Sequence, residues 1–215
     1  MTAALLLFLF APPASFAELS KQAAAARESN RTDEAVRLYR QCVRLKPTWA
    51  EGWWYLGSLL YDKSSYAPAR DALARFVKLE PAAAPGWALL GLSELENKDR
   101  KPALAHLEKS LELGLNVDPL SKVVRYNSGV LLTGSGQFER ALVRFEELAR
   151  LGVDNPDLML ATGLAALRVP LLPDEVAIER KPFVLEVGRV MWDVGARRAA
   201  ERTAQPHLLV RAAAR

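Results

Sequence analysis

The sequence contains little of what catalytic and metal-binding proteins use for their chemistry. Among its 215 residues there are one cysteine, Cys42, and two histidines, His106 and His207. A single cysteine excludes an internal disulfide, and neither histidine lies near a serine or cysteine nucleophile in the pattern. Metal-ligand spacings, phosphate loops and Gly-rich nucleotide fingerprints are also missing. We therefore predict that the chain is not an enzyme and uses no metal or cofactor, and that Cys42 is a buried structural thiol.

Two further features that the sequence lacks limit the possible fold classes. No stretch shows the alternation of Val, Ile and Thr that is typical of strands. The apolar run near the N-terminus, Leu5 to Phe10, is too short to cross a bilayer. Half of the residues are nevertheless hydrophobic, which is enough for a core, and thirteen prolines and twelve glycines are spread along the chain. This composition predicts helices that are separated by turns.

What the sequence does contain is a repeat of 34 residues. In the clearest copy the marker residues are Trp53, Leu56, Gly57, Ala69 and Pro81. The residues 34 positions later are Trp87, Leu90, Gly91, Ala103 and Leu115, and those 34 positions earlier are Leu19, Gln22, Ala23, Ala35 and Pro47. A fixed period of this size predicts a solenoid of stacked structural repeats.

Each copy has the pattern of two helices folded against each other. Small residues such as Gly57 and Ala69 let two helix backbones approach closely. Pro81 ends the second helix, because proline lacks an N–H donor and clashes with the preceding turn. One such hairpin cannot bury its own apolar face, so several copies must stack. The apolar residues recur at spacings of three and four, which is one face of each helix: Trp53, Leu56 and Leu60, then Leu73, Phe76 and Val77.

These motifs resemble the tetratricopeptide repeat family. The resemblance rests on W-x-x-L-G from Trp53 to Gly57, A-x-x-x-L-x-x-F from Ala69 to Phe76, and the closing Pro81. It implies an all-α fold, a right-handed superhelical solenoid of antiparallel helix pairs. The alternative is an ordinary helical bundle in which these residues align by chance. Four copies can be counted: Phe16 to Thr48, Ala50 to Ala83, Ala84 to Val117, and Lys122 to Asn155.

Several helix starts can also be predicted. Thr32 or Asp33 is expected to cap the second helix of the first copy, since both side chains accept hydrogen bonds from free backbone N–H groups. Asp118 is expected to cap a helix that has Pro119 at its first position. The fourth copy starts four residues later than a strict period would place it.

The resemblance also implies a mode of action. In this family the first helices of successive repeats line a concave groove that holds a protein or peptide partner. The predicted groove residues here are Trp54, Ser58, Tyr61, Leu92, Glu96, Tyr126, Asn127 and Val130. Trp54, Tyr61 and Tyr126 are the expected anchors, because Trp and Tyr bury large areas and dominate binding hot spots. The alternative for Trp54 is packing on the preceding repeat.

One specific binding mode of the family is not expected. Some members grip a carboxylate terminus with a Lys and an Asn on the first helix, and those two places hold Ser20 and Ala24 here. Arg27, one turn further on, could still meet an acidic group. The predicted function is therefore a non-catalytic scaffold or adaptor that binds a peptide segment or partner protein. Nucleic acid is not an expected partner, because no basic and aromatic binding motif is present.

The two ends of the chain differ from the repeats. Residues 1–17 resemble a secretory signal peptide that is cut before Glu18, although no Lys or Arg precedes the apolar run. This predicts an exported protein, periplasmic or associated with the cell envelope. The alternative is an apolar segment that docks on the first copy. The domain prediction is then a signal peptide at 1–17, four helix pairs at 18–155, and degenerate helices with a basic tail at 156–215.

The net charge of the chain is concentrated near the C-terminus. Between Glu179 and Arg215 there are eight Lys or Arg residues and four acidic ones, and the difference equals the net charge of +4. Arg197, Arg198 and Arg202 could make a weak contact with a membrane surface. An envelope or membrane-surface assembly factor is therefore an alternative function. A regulatory fragment of a larger enzyme is another.

Overall fold

The computed structural model describes residues 15–153 and 156–166, and these residues form nine helices and no strand. This confirms the predicted all-α class. The predicted basic tail and residues 1–14 of the predicted signal peptide lie outside the described residues. The helices are α1 (Phe16–Glu28), α2 (Thr32–Leu45), α3 (Ala50–Asp62), α4 (Tyr66–Leu79), α5 (Ala84–Glu96), α6 (Arg100–Glu112), α7 (Leu120–Gly134), α8 (Phe138–Arg150) and α9 (Pro156–Ala166).

The chain divides into two compact units, Met1–Asp99 and Arg100–Arg215. Helices α1 to α5 belong to the first unit, and α6 to α9 belong to the second. The division falls between the two helices of the third predicted copy. Within the units, α1 packs on α2, α3 on α4, and α7 on α8 as helix hairpins.

The 34-residue period sets the start of six helices. Helices α1, α3 and α5 begin 34 residues apart, and so do α2, α4 and α6. The period also fixes the turns between the paired helices. Asn30, Ser64 and Lys98 have positive φ angles of 55°, 56° and 67° at the same place in three successive copies. In the turn between α7 and α8 this place is taken by Gly136, with a φ of 78°, which glycine adopts without steric cost.

The marker residues of the first unit make the close contacts that their types predict. A Cβ atom on Gly57 would lie 2.6 Å from Leu73 Cγ, so α3 and α4 approach through the missing side chain. Ala69 and Leu73 are fully buried. The tryptophans have a second role, because the Trp53 indole N–H donates to the Pro47 carbonyl at 2.8 Å. Trp87 donates to the Pro81 carbonyl in the same way, at 2.9 Å. Each closing proline therefore anchors the tryptophan of the helix that follows it.

The second unit repeats the close approach. A Cβ atom on Gly129 of α7 would lie 2.7 Å from Phe145 Cζ of α8, and the Phe145 side chain is fully buried. Leu132, Leu142 and Leu148 complete the core around this ring. Helix α9 adds Leu158 to the same cluster. The contact of Gly129 with Phe145 has the same spacing of 16 residues as the contact of Gly57 with Leu73.

Two predicted helix caps are wrong. Helix α2 begins at Thr32, and its N-cap residue is Arg31, which makes no side-chain capping bond. Helix α7 begins at Leu120 with Pro119 as its N-cap residue. Asp118 accepts a hydrogen bond from Lys122 Nζ at 3.0 Å, so its carboxylate forms an ion pair along the helix and does not cap it.

Helix α1 is capped by a residue that precedes the predicted cut site. The backbone N–H of Glu18 donates to Ser15 Oγ at 3.3 Å. Phe16 packs edge-on against Trp49, with 5.1 Å between the ring centroids. A chain that began at Glu18 would lose both the cap and this aromatic contact.

We expect a chain that begins at Glu18 to be less stable than one that begins at Ser15, by about 1–2 kcal/mol. The cap contributes about 1 kcal/mol and an aromatic pair about 0.5–1.5 kcal/mol. Urea unfolding followed by tryptophan fluorescence measures the difference. The variant Ser15→Ala in the longer chain isolates the cap. Equal unfolding midpoints for the two chains would mean that residues 15–17 do not stabilise the first unit.

Candidate protein-interaction surface

The first unit has an apolar pocket beside Trp54, with a volume of about 350 Å³. Three helices meet there: Trp54 comes from α3, Phe76 from the last turn of α4, and Pro85 from the first turn of α5. The Trp54 and Phe76 rings are 5.2 Å apart and inclined by 46°. Glu51 and Glu80 also line the pocket and are exposed, so the apolar wall has an acidic rim.

The pocket depends on a residue without a side chain. A Cβ atom on Gly86 would lie 2.6 Å from Phe76 Cδ1, so any larger residue would push against the ring that forms the wall. Trp54 is half-buried in this arrangement. It therefore packs on the second helix of its own copy and the start of the next, and keeps part of its surface accessible.

Tyr61 and Glu96 are brought together at the other end of α3. Tyr61 packs against Tyr66 with 5.5 Å between the ring centroids. Burial raises the pKa of Tyr61, and the neighbouring carboxylate of Glu96 raises that pKa further. The phenol therefore stays neutral and able to donate a hydrogen bond next to an exposed carboxylate.

Two other predicted groove residues of the first unit are less available. Leu92 is only 4 % exposed, so the prediction that it meets a partner is wrong: this apolar side chain is buried in the fold. The Ser58 hydroxyl donates to the Tyr55 carbonyl at 3.2 Å, so its proton is already used within α3.

The remaining three predicted residues lie on α7 in the second unit. Tyr126 packs partly buried against the core cluster around Phe145. Asn127 Nδ2 donates to the Val123 carbonyl at 2.9 Å, one turn back on the same helix. Val130 is 43 % exposed, which makes it the most accessible of the three.

The repeat pattern also matches a known family over part of the chain. Residues 20–86, from α1 to the start of α5, match the family model described as Tetratricopeptide repeat. Residues 20–86 therefore carry tetratricopeptide repeats. No curated protein sequence matches it significantly.

Several solved structures have a similar fold. A crystal structure of MamA superposes with a TM-score of 0.60 at 19% identity, covering 89% of this chain and 95% of that one. YrrB, described as a TPR protein with an unusual peptide-binding site, gives a TM-score of 0.60 at 19% identity over 80% of this chain and 82% of its own. MamA 41-end from Desulfovibrio magneticus RS-1 gives 0.54 at 20% identity over 64% and 76%. At these identities the likeness establishes the fold alone.

An aromatic cluster of the first unit holds Arg27, which the sequence suggested could meet an acidic group and which also pairs with Glu28 at 3.5 Å. Its guanidinium lies over the Tyr55 ring, 3.7 Å from the centroid. Tyr55 packs in turn on Tyr39, and Tyr39 stacks on Trp49 at 5.9 Å. Burial raises the pKa of Tyr39 to about 12, although the positive charge of Arg27 opposes that shift. The cluster joins α1, α2 and α3, so Arg27 has a structural role.

The second unit also contains a buried ionic network that the sequence did not predict. The Glu108 carboxylate on α6 accepts hydrogen bonds from Ser128 of α7 and from Arg140 Nη2 of α8 at 2.7 Å. Arg144 binds it with two nitrogens, Nε at 2.9 Å and Nη2 at 3.0 Å. Arg144 also donates to Glu147, which pairs with Arg125 at 3.0 Å. Glu147 therefore connects Arg125 of α7 with Arg144 of α8.

The network controls the ionisation of Glu108. Burial opposes the charged form, but the hydrogen bonds from Arg144 and Ser128, the charge of Arg144 and the bond from Arg140 outweigh it. The pKa of Glu108 is consequently below its ordinary value. The only sequence signal was the spacing of Arg140 and Arg144, which places two guanidinium groups on one face of α8.

The part of the chain that the structure describes contains neither a membrane-spanning helix nor a group of metal-binding side chains. None of its helices is long and apolar enough to cross a membrane. Its His, Cys, Asp and Glu residues form no group of three that could hold a metal ion. Cys42 is fully buried, as predicted, and burial raises the pKa of its thiol.

Proposed function

We propose that the protein is a non-catalytic scaffold that holds a peptide segment of a partner protein in the apolar pocket beside Trp54, the Trp54 pocket. The observation that carries this proposal is the apolar pocket formed by Trp54, Phe76 and Pro85 with its acidic rim. The pocket accepts one apolar side chain, and Glu51 and Glu80 favour a basic residue next to it. In YrrB, the same fold has a peptide-binding site.

The mechanism is preorganisation. Trp54 is held by its contact with Phe76, and Phe76 is held by its close approach to Gly86. A partner segment therefore orders itself on a surface that is already formed, which lowers the entropic cost of binding. Tyr61 and Glu96 offer a phenol and a carboxylate to a polar or basic part of the same segment.

The expected result of Trp54→Ala is a loss of peptide affinity of at least about ten-fold, since a truncated aromatic anchor costs upward of 1–2 kcal/mol at a hot spot. Peptides would be selected from a displayed random library on the full chain. Their dissociation constants would then be measured by fluorescence anisotropy. We expect the selected peptides to contain an apolar residue flanked by Lys or Arg.

The matched control is Leu45→Ala, which truncates an exposed apolar residue of the same unit that does not line the pocket. It should leave the affinity unchanged. Tyr61→Ala and Tyr126→Ala test whether the same peptide reaches those two predicted anchors. If the selected peptides bind Trp54→Ala and the parent chain equally while the variant keeps its helical content, the Trp54 pocket is not the binding site.

A further inference from the structure

A second cleft of the first unit lies between α2 and α4, with α3 beneath it, and has a volume of about 340 Å³. Its floor is apolar and is formed by buried side chains of all three helices, among them Val43, Leu56 and Ala72. The Trp53 ring closes one side and is fixed there by the hydrogen bond to the Pro47 carbonyl. This cleft shares no residue with the Trp54 pocket.

The cleft is lined by three exposed arginines, Arg40 and Arg44 from α2 and Arg75 from α4. Arg40 and Arg44 are four residues apart and so lie on one face of α2, while Arg75 faces them from the other helix. None of the three makes an ion pair or a side-chain hydrogen bond with another described residue.

The one carboxylate of the cleft does not neutralise these arginines. Asp71 accepts hydrogen bonds from Arg70, from Nη2 at 2.9 Å and from Nε at 3.1 Å. Arg31, another exposed arginine of this unit, does have an acidic partner, Glu34 at 2.7 Å. The cleft differs from an ordinary charged surface because three such guanidinium groups are gathered around one apolar floor.

We propose that this cleft binds an acidic peptide segment, in which Glu or Asp residues flank an apolar side chain. Guanidinium groups bind carboxylates through paired hydrogen bonds, which gives both affinity and orientation. The apolar floor takes the side chain between the acids, and its burial adds to the binding free energy. The carboxylates of the peptide thus match the arginines of the cleft, and its apolar side chain matches the floor.

The same features disfavour other polyanions. A bilayer surface is flat and extended, whereas the arginines surround a recess that is as wide as the space between two helices of one unit. Single-stranded nucleic acid binds by stacking its bases on accessible aromatic rings. Trp53 is the one aromatic residue that lines this cleft, and its ring packs against the core of the first unit.

The inference goes beyond the proposed function and does not depend on it. The Trp54 pocket has Glu51 and Glu80 at its rim, and the cleft has Arg40, Arg44 and Arg75. One unit would then hold two segments of opposite charge at two separate sites.

The probe is a fluorescent peptide of about ten residues in which Glu alternates with Leu and Phe, titrated with the full chain in low and moderate salt. The test variant carries Arg40→Ala, Arg44→Ala and Arg75→Ala. The control variant carries Lys21→Ala, Arg37→Ala and Lys78→Ala, which removes the same charge from exposed positions of the same unit outside the cleft. We expect at least ten-fold weaker binding for the test variant, no more than a two-fold change for the control, and weaker binding as salt rises.

If the three alanine substitutions disturb the fold of the test variant, a charge-reversal variant still tests the proposal. The variant with Arg40→Glu, Arg44→Glu and Arg75→Glu should bind a matching peptide in which Lys replaces Glu, and should bind it more tightly than the parent chain does. Equal loss in the test and control variants would overturn the proposal, because net charge alone would explain the binding. Preference for polyglutamate, for vesicles with anionic lipid or for single-stranded DNA over the probe would overturn it too, since each lacks the apolar side chain between carboxylates.

Discussion

Replacing Glu108 by Gln is expected to destabilise the second unit by about 2–4 kcal/mol, because removal of one partner from a largely buried ion pair leaves the other charge uncompensated. The Glu108 side chain is 9 % exposed and Arg144 is 20 % exposed, so solvent screens this pair only weakly. Gln has nearly the same shape as Glu, so the change isolates the charge. One substitution would weaken the contacts of α6 with both α7 and α8.

The matched control for this substitution is Glu112→Gln on the same helix. Glu112 pairs with Lys109 at 3.4 Å, and its side chain is 64 % exposed. Exposed pairs of this kind contribute only about 0–1 kcal/mol. Hydrogen exchange of the amides in α6, α7 and α8 measures the local stability of both variants. Equal protection in Glu108→Gln and Glu112→Gln would show that the network contributes no more than a surface pair.

The same network predicts a dependence on pH. The pKa of Glu108 is lower in the folded protein than its ordinary value of about 4.3. The folded state therefore binds the proton less readily than the unfolded state does. The contribution of Glu108 to stability is present above that ordinary value and is lost as the pH falls through the lower folded pKa.

The difference in urea midpoint between the parent chain and Glu108→Gln should therefore be largest at neutral pH and shrink in acid, in the range below about pH 4. The measurement is a series of unfolding curves by circular dichroism at successive pH values, with Glu112→Gln alongside. A difference that stayed constant down to the acid limit of folding would mean that Glu108 is not ionised in the network.

The sequence allowed the repeat to be predicted because the repeat depends on local rules. The spacing of Trp53, Gly57 and Pro81 determined where helices begin and end, and the contact of Gly57 with Leu73 follows from residue size alone. The Trp53 indole N–H donates to the Pro47 carbonyl, 6 residues earlier in the chain, and Trp87 makes the same bond to the Pro81 carbonyl. Its regular recurrence is a signal that could have been used.

Contacts between distant side chains could not be predicted in this way. Glu108 and Arg144 are 36 residues apart, and each looks like an ordinary charged helix residue in the sequence. The prediction for Leu92 failed for a related reason, since the position within a repeat defines a face but not what covers it. Asp118 failed as a cap because Lys122 lies one turn away and pairs with it. Each error concerns which of several partners a side chain selects, and that depends on the packing of the whole unit.

The close approach of α7 and α8 leads to a prediction in which two glycines of one helix respond with opposite signs. Gly129→Ala should destabilise the second unit by about 2–3 kcal/mol, because overpacking a well-filled core forces side chains and backbone to shift. The new Cβ atom would lie 2.7 Å from Phe145 Cζ and 2.9 Å from Phe145 Cδ1. Since the ring is fully buried, it has no open space to move into.

Gly134→Ala is the control on the same helix, because nothing lies within 4 Å of the Cβ atom that it adds. It should stabilise the unit by up to about 1 kcal/mol, since Ala favours the helix over Gly. Adding Phe145→Leu to Gly129→Ala should recover part of the loss, and the double-mutant cycle would give the energy of the contact. If Gly129→Ala raised the unfolding midpoint as Gly134→Ala is expected to do, helix propensity would outweigh packing at Gly129. Gly129 would then not limit the distance between α7 and α8. By analogy, Gly57 would not limit the distance between α3 and α4.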